Sequence, residues 1–396
     1  MTGLKQKDGI ATERPRSSIC ALGRSVVLNR MARQGVVLLG LCIPGVASCG
    51  GSGSSPGGGG SPAPPSYSQQ ATLGVQALQL WYSQSSGLYA APSGWWNAAN
   101  AMTVLANYSK ATGDKQYLSV IANTFSNANK ANGTTNFINA YDDDEGWWAL
   151  AWIDASDLTG TQAYLTMAET IFADIATEWD TTTCGGGVWW QKPNNYKNAI
   201  ANELFLAVAA SLANRTTGSA SASYLAWAQK EWAWFKASGM INPQSLVNDG
   251  LTSTNPSACA NNGQTTWSYN QGVILGGLVE LYKANKDPAL LPQAQAIASA
   301  GIAKLTAHGI LVDPAVSGGD APQFKGVFVR NLVVLYNVSA NAQYKTFVDA
   351  NANSIWTNDQ GPKEEFGASW QGPFDSADAT RQTSALDVLV AAIELQ

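Results

Sequence analysis

The sequence predicts an all-α protein, an (α/α)6 barrel of about twelve helices, from three observations. From residue 69 onward, apolar residues recur at three- and four-residue spacing, and strand-like alternation is scarce. The connections alternate between short turns and long loops. Similar pieces follow the short turns, each with a Tyr at the same place in the next helix: DKQYL, TQAYL, SASYL and NAQYK.

A repeat of about 50 residues, each a helical hairpin, is typical of repeat architectures. Six hairpins that close on themselves make a barrel, and an open helical solenoid is the alternative. The small number of hairpins and the uneven long loops favour closure. The helices are predicted at residues 69–84, 94–111, 114–132, 145–159, 161–179, 197–214, 219–238, 267–286, 288–308, 323–339, 340–357 and 380–395.

The alternation of loops also predicts where function lies. If the hairpins run up and down, all short turns lie at one end of the barrel and all long loops at the other. Functional residues are usually carried on longer loops held by a rigid scaffold. The even-numbered helices begin at the long-loop end and carry fewer charges, so we assign them to the inner ring. Their starts are GWWNAANAM, EGWWALAWI, KNAIANELF, TWSYNQGVI, QFKGVFVRN and RQTSALDVL.

Composition excludes several classes of function. The chain has 396 residues, a net charge of −5 and scattered Lys and Arg, without the basic stripe that nucleic acid requires. One histidine, His308, argues against Ser-His-Asp or Cys-His catalysis and against a His-rich metal site. We expect no cofactor and no metal, and a monomer. The 15 Trp residues supply large flat rings that fill cores or stack on sugar faces.

The N-terminus predicts export. Residues 31–49, MARQGVVLLGLCIPGVASC, have the basic start, short apolar run and small residues of a secretory signal, and Met31 is a candidate true start. The apolar run is too short to span a membrane. VASC resembles a bacterial lipobox, in which Cys49 is lipidated; an ordinary cleaved signal is the alternative.

The sequence therefore divides into three parts. Residues 1–49 are a leader, residues 50–66 a flexible Gly/Ser/Pro tether, and residues 67–396 the globular domain. We expect an exported protein at the bacterial cell surface or outer membrane, held only by its lipid, or a secreted protein.

Two cysteines remain for the folded domain. Of the five, Cys20 and Cys42 lie in the leader, and Cys49 would carry the lipid. In an oxidising compartment, Cys184 and Cys259 are expected to form one disulfide. Two separate buried thiols are the alternative.

Four adjacent acids, Asp142 to Glu145, precede a Trp pair in a chain with only 13% charged residues. Helix capping explains one Asp, but three in a row with a Glu repel one another. A calcium site is a second alternative, although the run lacks the spaced ligands and glycine of an EF-hand loop. The third interpretation is a carboxylate pair for glycoside hydrolysis.

Glycoside hydrolysis needs one carboxylate as nucleophile or base and one carboxylic acid. A separation of about 5–5.5 Å gives retention, and about 6.5–9.5 Å gives inversion. Adjacent residues entering a helix have Cβ atoms about 5–6 Å apart, which is compatible with retention. A helix N-terminus favours the charged form, so the acid must keep its proton through a neighbouring charge and burial. Physical reasoning leaves Asp142/Asp143 and Asp143/Asp144 both open.

Several segments together resemble glycoside hydrolase family 76, the endo-α-1,6-mannanases. They cover most of residues 67–396 in the expected order: YDDDEGWWALAWIDASDLTG, CGGGVWW, KNAIANELFLAVAA, WSYNQGVILGGL, FKGVFVRNL and QTSALDVL. The resemblance implies an (α/α)6 barrel with two consecutive catalytic aspartates and a retaining mechanism. In the family's pattern, two aspartates are followed by any one residue, a glycine and a Trp or Phe. Asp143 and Asp144 match this pattern, so the resemblance implies Asp143 as nucleophile and Asp144 as acid/base, with Asp142 as the extra residue.

Further residues at the predicted barrel mouth are candidates for substrate contact, each with core packing or ion pairing as its alternative. They are Asp142, Trp147, Trp190, Asn202, Glu203, Tyr269, Asn270, Gln271, Lys325 and Arg330. Trp147 and its neighbour Trp148 cannot both face one way on a helix.

Three functions follow as hypotheses. The first is a surface-anchored hydrolase that cleaves α-1,6-mannosidic links in mannan, with endo or exo action open. The second is a mannan transglycosylase. The third is a lipoprotein that captures the polysaccharide without cutting it, against which the intact Asp143 and Asp144 count.

Overall fold

The structure is a computed structural model that describes residues 64–252, 259–314 and 319–396. The predicted leader, Cys49 and most of the predicted tether lie outside the described residues. Ser66 caps the first helix, since its side chain and that of Gln69 bond to each other's backbone N–H groups.

Twelve α-helices are present in these ranges, as predicted. They are α1 (Tyr67–Leu78), α2 (Trp95–Thr112), α3 (Leu118–Asn127), α4 (Asp142–Thr159), α5 (Gln162–Ile175), α6 (Ala199–Arg215), α7 (Gly218–Ser238), α8 (Ser268–Asn285), α9 (Leu290–Lys304), α10 (Phe324–Tyr336), α11 (Ala342–Asn358) and α12 (Ala379–Glu394). Within the described part of the chain, none of these helices combines the length and apolar character needed to span a membrane.

The even-numbered helices form a closed inner ring. Each of α2, α4, α6, α8 and α10 packs against the next, and α12 packs back against α2. The odd-numbered helices lie outside this ring. Burial agrees, because α6 is buried from Ala199 to Ala213, whereas the longer α7 buries only four residues. The predicted barrel and its inner ring are therefore confirmed.

Inner helices approach closely where glycine replaces a side chain. A Cβ on Gly272 of α8 would lie 2.6 Å from the Phe328 Cα of α10. A Cβ on Gly326 of α10 would lie 2.5 Å from the Ser384 carbonyl oxygen of α12. Both separations are shorter than real contacts, so these two glycines allow the ring to close at its observed radius.

Several predicted helix ends were wrong because short strands and turns follow the helices. The helix predicted at 69–84 ends at Leu78, and the one predicted at 288–308 ends at Lys304. Three antiparallel hairpins occur, each of two-residue strands: β1 (Tyr82–Ser83) with β2 (Leu88–Tyr89), β3 (Leu251–Thr252) with β4 (Ala260–Asn261), and β5 (Thr306–Ala307) with β6 (Ile310–Leu311). Strands of two residues are too short to show an alternating pattern.

Candidate active site

The acidic run forms the first turn of α4. The helix begins at Asp142, three residues before the predicted start at 145. A loop is tied across this start, because the Asp142 N–H donates to the Trp190 carbonyl at 3.0 Å and the Lys192 N–H donates to the Ala140 carbonyl at 2.8 Å. The first bond satisfies an N–H group that a helix start leaves without a partner, and the second joins the preceding residue Ala140 to the same loop.

Two of the four acids turn away from the barrel mouth toward Lys192. Asp142 and Glu145 lie three residues apart, so they share one face of the helix. The Lys192 Nζ lies 3.2 Å from Asp142 Oδ1 and 2.7 Å from Glu145 Oε1, and it also contacts Asp174 at 2.5 Å. Burial raises the pKa of Asp142 to about 7 and that of Glu145 to about 9, although Lys192 opposes both shifts. Asp142, a predicted substrate contact, is fully buried in this cluster.

The carboxylates of the other two acids, Asp143 and Asp144, each accept a hydrogen bond from a different loop. The Trp190 Nε1–H donates to Asp143 Oδ2 at 3.1 Å. The Asn139 Nδ2–H donates to Asp144 Oδ2 at 2.8 Å. Both donors stabilise the ionised form of the carboxyl group that they contact.

Burial nevertheless raises the pKa of both carboxyl groups. For Asp143, burial and then the negative charge of Asp144 raise the pKa well above its ordinary value. For Asp144, burial raises the pKa to about 6, with Asn139 lowering it and the charge of Asp320 raising it. Two adjacent carboxyl groups of this kind titrate as a pair, and both bind a proton more readily than an ordinary aspartate.

A cleft of about 240 Å³ is lined by Asp143, whereas Asp144 is not among its lining residues. It is lined by aromatic, acidic and amide side chains: Trp96, Asp143, Trp147, Trp190, Tyr196, Asn198, Asp249, Tyr269, Asp320 and Phe324. Four of the rings lie nearly parallel. Trp96 stacks on Trp147 with centroids 5.6 Å apart, and Tyr269 stacks on Phe324 at 3.9 Å.

Two further acids hold their positions in the cleft through hydrogen bonds. Asp249 accepts from the Tyr196 hydroxyl at 2.6 Å and from Trp267 Nε1 at 3.1 Å. Asp320 accepts from Trp96 Nε1 at 2.9 Å. The site therefore combines two adjacent carboxyl groups of raised pKa, aromatic rings, and two carboxylates that accept hydrogen bonds. In the ranges described, His, Cys, Asp and Glu form no group of three or more able to hold a metal ion.

The sequence profile of glycosyl hydrolase family 76 matches residues 67–395. The chain belongs to this family. Family membership makes it a glycoside hydrolase, and Asp143 and Asp144 lie inside the family domain.

Three individual proteins are similar to this chain, at sequence identities between 24% and 31%. A mannan endo-1,6-alpha-mannosidase of Candida albicans is 27% identical over 346 residues, which are 79% of this chain and 75% of that protein. A second one of the same organism is 31% identical over 221 residues, covering 51% of this chain and 47% of that protein. A solved alpha-1,6-mannanase of Salegentibacter sp. HEL1_6 has the same fold, with a TM-score of 0.77, 24% identity, and coverage of 84% of this chain and 100% of that one.

The predicted amides Asn202 and Gln271 lie behind the cleft wall, where they hold loop backbone. Asn202 bonds both ways to Val188, accepting from its N–H at 2.8 Å and donating to its carbonyl at 3.1 Å. Gln271 does the same with Val247, at 2.7 and 2.8 Å. Neither is among the residues that line the cleft. Each fixes one long loop, so both shape the mouth indirectly.

Four other predicted contacts also lie outside the cleft lining. Glu203 and Asn270 are fully buried within α6 and α8. The Lys325 Nζ donates to the Ala368 carbonyl at 2.7 Å and lies 3.9 Å from the centre of the Trp370 ring. Arg330 lies behind Trp147. Of the predicted substrate contacts, Trp147, Trp190 and Tyr269 line the cleft.

The predicted cysteine pair ties two mouth loops together. Cys184 and Cys259 form a disulfide with Cα atoms 5.2 Å apart, which joins the Gly-rich loop after α5 to the β3–β4 hairpin. Inside the Gly-rich loop, the buried Lys197 Nζ donates to the carbonyls of Asp180 and Thr183, both at 2.7 Å. The loop that carries Trp190 is thus fixed from two sides.

Sequence reasoning missed several residues of the site. They are Trp96, Asn139, Lys192, Tyr196, Asn198, Asp249, Asp320 and Phe324. Most of them lie in or beside the long loops that were predicted to form the mouth. Their location in or beside the long loops could have identified them as candidates, because single polar residues in irregular loops show no periodic pattern.

Replacing Lys192 by Met is expected to destabilise the domain by about 3–5 kcal/mol, since two buried carboxyl groups lose their counter-charge. Both can escape by binding a proton, because burial already raises their pKa values. A raised carboxyl pKa favours the folded state at low pH and opposes it as pH rises. The loss should therefore be larger at pH 8 than at pH 5.5, as measured by urea unfolding.

The matched control is Lys345→Met, which removes an exposed ion pair with Asp349 and should cost about 1 kcal/mol or less at either pH. An equal loss for the two variants, or a Lys192→Met loss independent of pH, would contradict this account of the acidic helix start.

Proposed function

We propose that the protein hydrolyses α-1,6-mannosidic linkages of mannan with retention, using Asp143 as nucleophile and Asp144 as acid/base. The observation that carries the proposal is a pair of adjacent carboxyl groups on the first turn of α4, of which Asp143 lines the cleft and both have raised pKa values. Family membership and the two Candida relatives, both named mannan endo-1,6-alpha-mannosidases, support the substrate.

A structural neighbour supports the choice of two consecutive aspartates. The Salegentibacter alpha-1,6-mannanase structure is of an inactive variant in which two consecutive aspartates are replaced by alanine, in complex with alpha-1,6-mannotetrose. In this chain three consecutive aspartates compete for the two roles. Asp142 is paired with Lys192 at 3.2 Å, which leaves Asp143 and Asp144.

The mechanism needs Asp144 protonated and Asp143 ionised. When Asp144 holds a proton, its negative charge no longer raises the pKa of Asp143, and the Trp190 N–H stabilises the Asp143 carboxylate. Ionised Asp143 attacks C1 of the mannosyl unit, and Asp144 gives its proton to the leaving oxygen. Water then attacks the covalent mannosyl-enzyme while Asp144 takes the water proton back. A pKa of about 6 for Asp144 suits both transfers near neutral pH.

The remaining cleft residues supply substrate binding. The flat faces of Trp96, Trp147 and Tyr269 suit the apolar faces of sugar rings. The Asp249 and Asp320 carboxylates, already held by hydrogen bonds, suit sugar hydroxyl donors.

We further propose that the protein is an exported monomer displayed by a lipid on Cys49. The sequence MARQGVVLLGLCIPGVASC supports this, and its residues lie outside the described structure. In a bacterial host, the full chain should appear in the membrane fraction and incorporate labelled palmitate. Cys49→Ala should incorporate no label; equal labelling of the two would contradict the anchor.

The hydrolase proposal is tested with three adjacent substitutions. Asp143→Asn and Asp144→Asn should each reduce reducing-sugar release from linear α-1,6-mannan by about 10²–10⁴-fold or more, because each removes one role of the pair. Asp142→Asn is the matched control, and it should keep most of the activity because Asp142 faces Lys192. Each variant is first checked for an unchanged thermal midpoint.

The assay also separates the alternative functions. Product lengths are read by chromatography beside the reducing-sugar assay. Longer oligosaccharides without net release of reducing ends would identify a transglycosylase. Binding of mannan without any product would identify a capture protein. A loss in Asp142→Asn as large as that in Asp143→Asn would show that the pair has been assigned to the wrong residues.

A further inference from the structure

A second cavity, of about 460 Å³, occupies the opposite end of the barrel. The C-terminal halves of all six inner helices line it, and its charged residues include Lys110, Asp154, Arg215, Glu280, Arg330 and Asp387. The cleft, in contrast, lies at the N-terminal starts of the inner helices. The two cavities therefore lie at opposite ends of the barrel interior, and the side chains between them keep them separate.

Arg330 crosses the bore at that point. From α10 it donates through Nη1 to Asp387 Oδ2 of α12 at 3.1 Å and through Nη2 to Asn100 Oδ1 of α2 at 2.6 Å. Its Cζ lies 5.7 Å from the centre of the Trp147 ring of α4. Since α2 and α4 are not neighbours of α10 in the ring, this one side chain joins helices from opposite sides.

Trp147 is the second residue that lies between the two cavities. It lies four residues after Asp143, so the two side chains share a face of α4, with the indole one turn below the carboxylate. Trp147 lines the cleft, and Arg330 lines the opposite cavity. Trp96 stacks on the same indole at 5.6 Å, so the Trp147 ring contacts both a tryptophan and a guanidinium.

We propose that Arg330 is a positioning residue that fixes Trp147 as the floor beneath Asp143 without itself touching the substrate. This inference rests on the proposed hydrolase function. A planar guanidinium presents its face to an aromatic ring while its edge donates to two acceptors at fixed angles, and a lysine ammonium cannot do both. A floor that shifts would move the sugar relative to Asp143, and small misplacements at the reacting atoms slow chemistry strongly.

Two other roles for Arg330 make different predictions. If Arg330 only stabilises the barrel through Asp387, a variant that keeps the charge should have normal kinetics per folded molecule. If Arg330 binds the substrate directly, its loss should raise KM with little effect on kcat. The positioning role predicts a fall in kcat together with a changed environment of Trp147.

The test compares Arg330→Lys with Arg215→Lys in kcat and KM on α-1,6-mannan. Arg215 lines the same cavity and is paired with Asp157 at 2.7 Å and Glu280 at 3.0 Å, so it is a matched control on the far side from the cleft. Arg330→Lys should lower kcat about tenfold, the size of a buried cation–π contact. The near-ultraviolet circular dichroism of the protein, to which the stacked Trp96 and Trp147 contribute, should change as well. Arg215→Lys should leave both within about twofold of wild type.

A second variant guards against misfolding. Arg330→Met combined with Asp387→Asn removes the ion pair without leaving a buried carboxylate alone, and its kcat should fall at least as far as that of Arg330→Lys. Wild-type kinetics in either folded Arg330 variant, or equal losses in Arg330→Lys and Arg215→Lys, would overturn the inference while the wild type still cleaves mannan. A wild type that releases nothing would instead overturn the proposed function, and this inference with it.

Discussion

The contact of Lys192 with the buried acids of α4 is the interaction on which the site depends. Four adjacent carboxylates at one helix start repel one another, and burial makes each of them costlier to ionise. Lys192 places one positive charge against Asp142 and Glu145, at 3.2 and 2.7 Å, on the face away from the cleft. Asp143 and Asp144 are left to interact with each other and with the hydrogen-bond donors Trp190 and Asn139.

The loop that carries Lys192 also contacts Asp143. Lys192 lies two residues after Trp190, whose carbonyl accepts from the Asp142 N–H and whose indole donates to Asp143. Backbone and side chain of a single loop therefore fix both the helix start and one carboxylate. On the other side of the bore, Arg330 supports the aromatic floor. The cleft is thus held from above by a loop and from below by a side chain that crosses the barrel.

Sequence patterns predicted the barrel, the inner ring and the position of the acidic run, because helical periodicity and loop alternation extend over many residues. They also predicted Trp147, Trp190 and Tyr269 at the mouth, where a ring follows a loop or a helix start. They could not predict which of three adjacent aspartates faces the cleft. That choice depends on Lys192, a residue 47 positions away from Glu145, in a loop without a regular pattern.

The amides and basic residues show a second reason why the observed side-chain contacts differ from the predicted ones. Asn202, Gln271 and Arg330 all lie on inner helices near cleft residues, as the pattern predicted, yet each turns its polar atoms to the protein's own groups. A position on a helix fixes the direction of a side chain only within one turn. Whether it meets substrate or loop backbone is decided by the loops, which vary most and repeat least.

The central claim is that two adjacent carboxyl groups act as nucleophile and acid/base across one glycosidic bond. Proton nuclear magnetic resonance of the first product released from an α-1,6-mannan oligosaccharide tests this most directly. The account predicts that the α-anomer appears first and only later equilibrates with the β-anomer, because two displacements restore the starting configuration. Initial release of the β-anomer would mean a single displacement by water and would contradict the role of Asp143 as nucleophile.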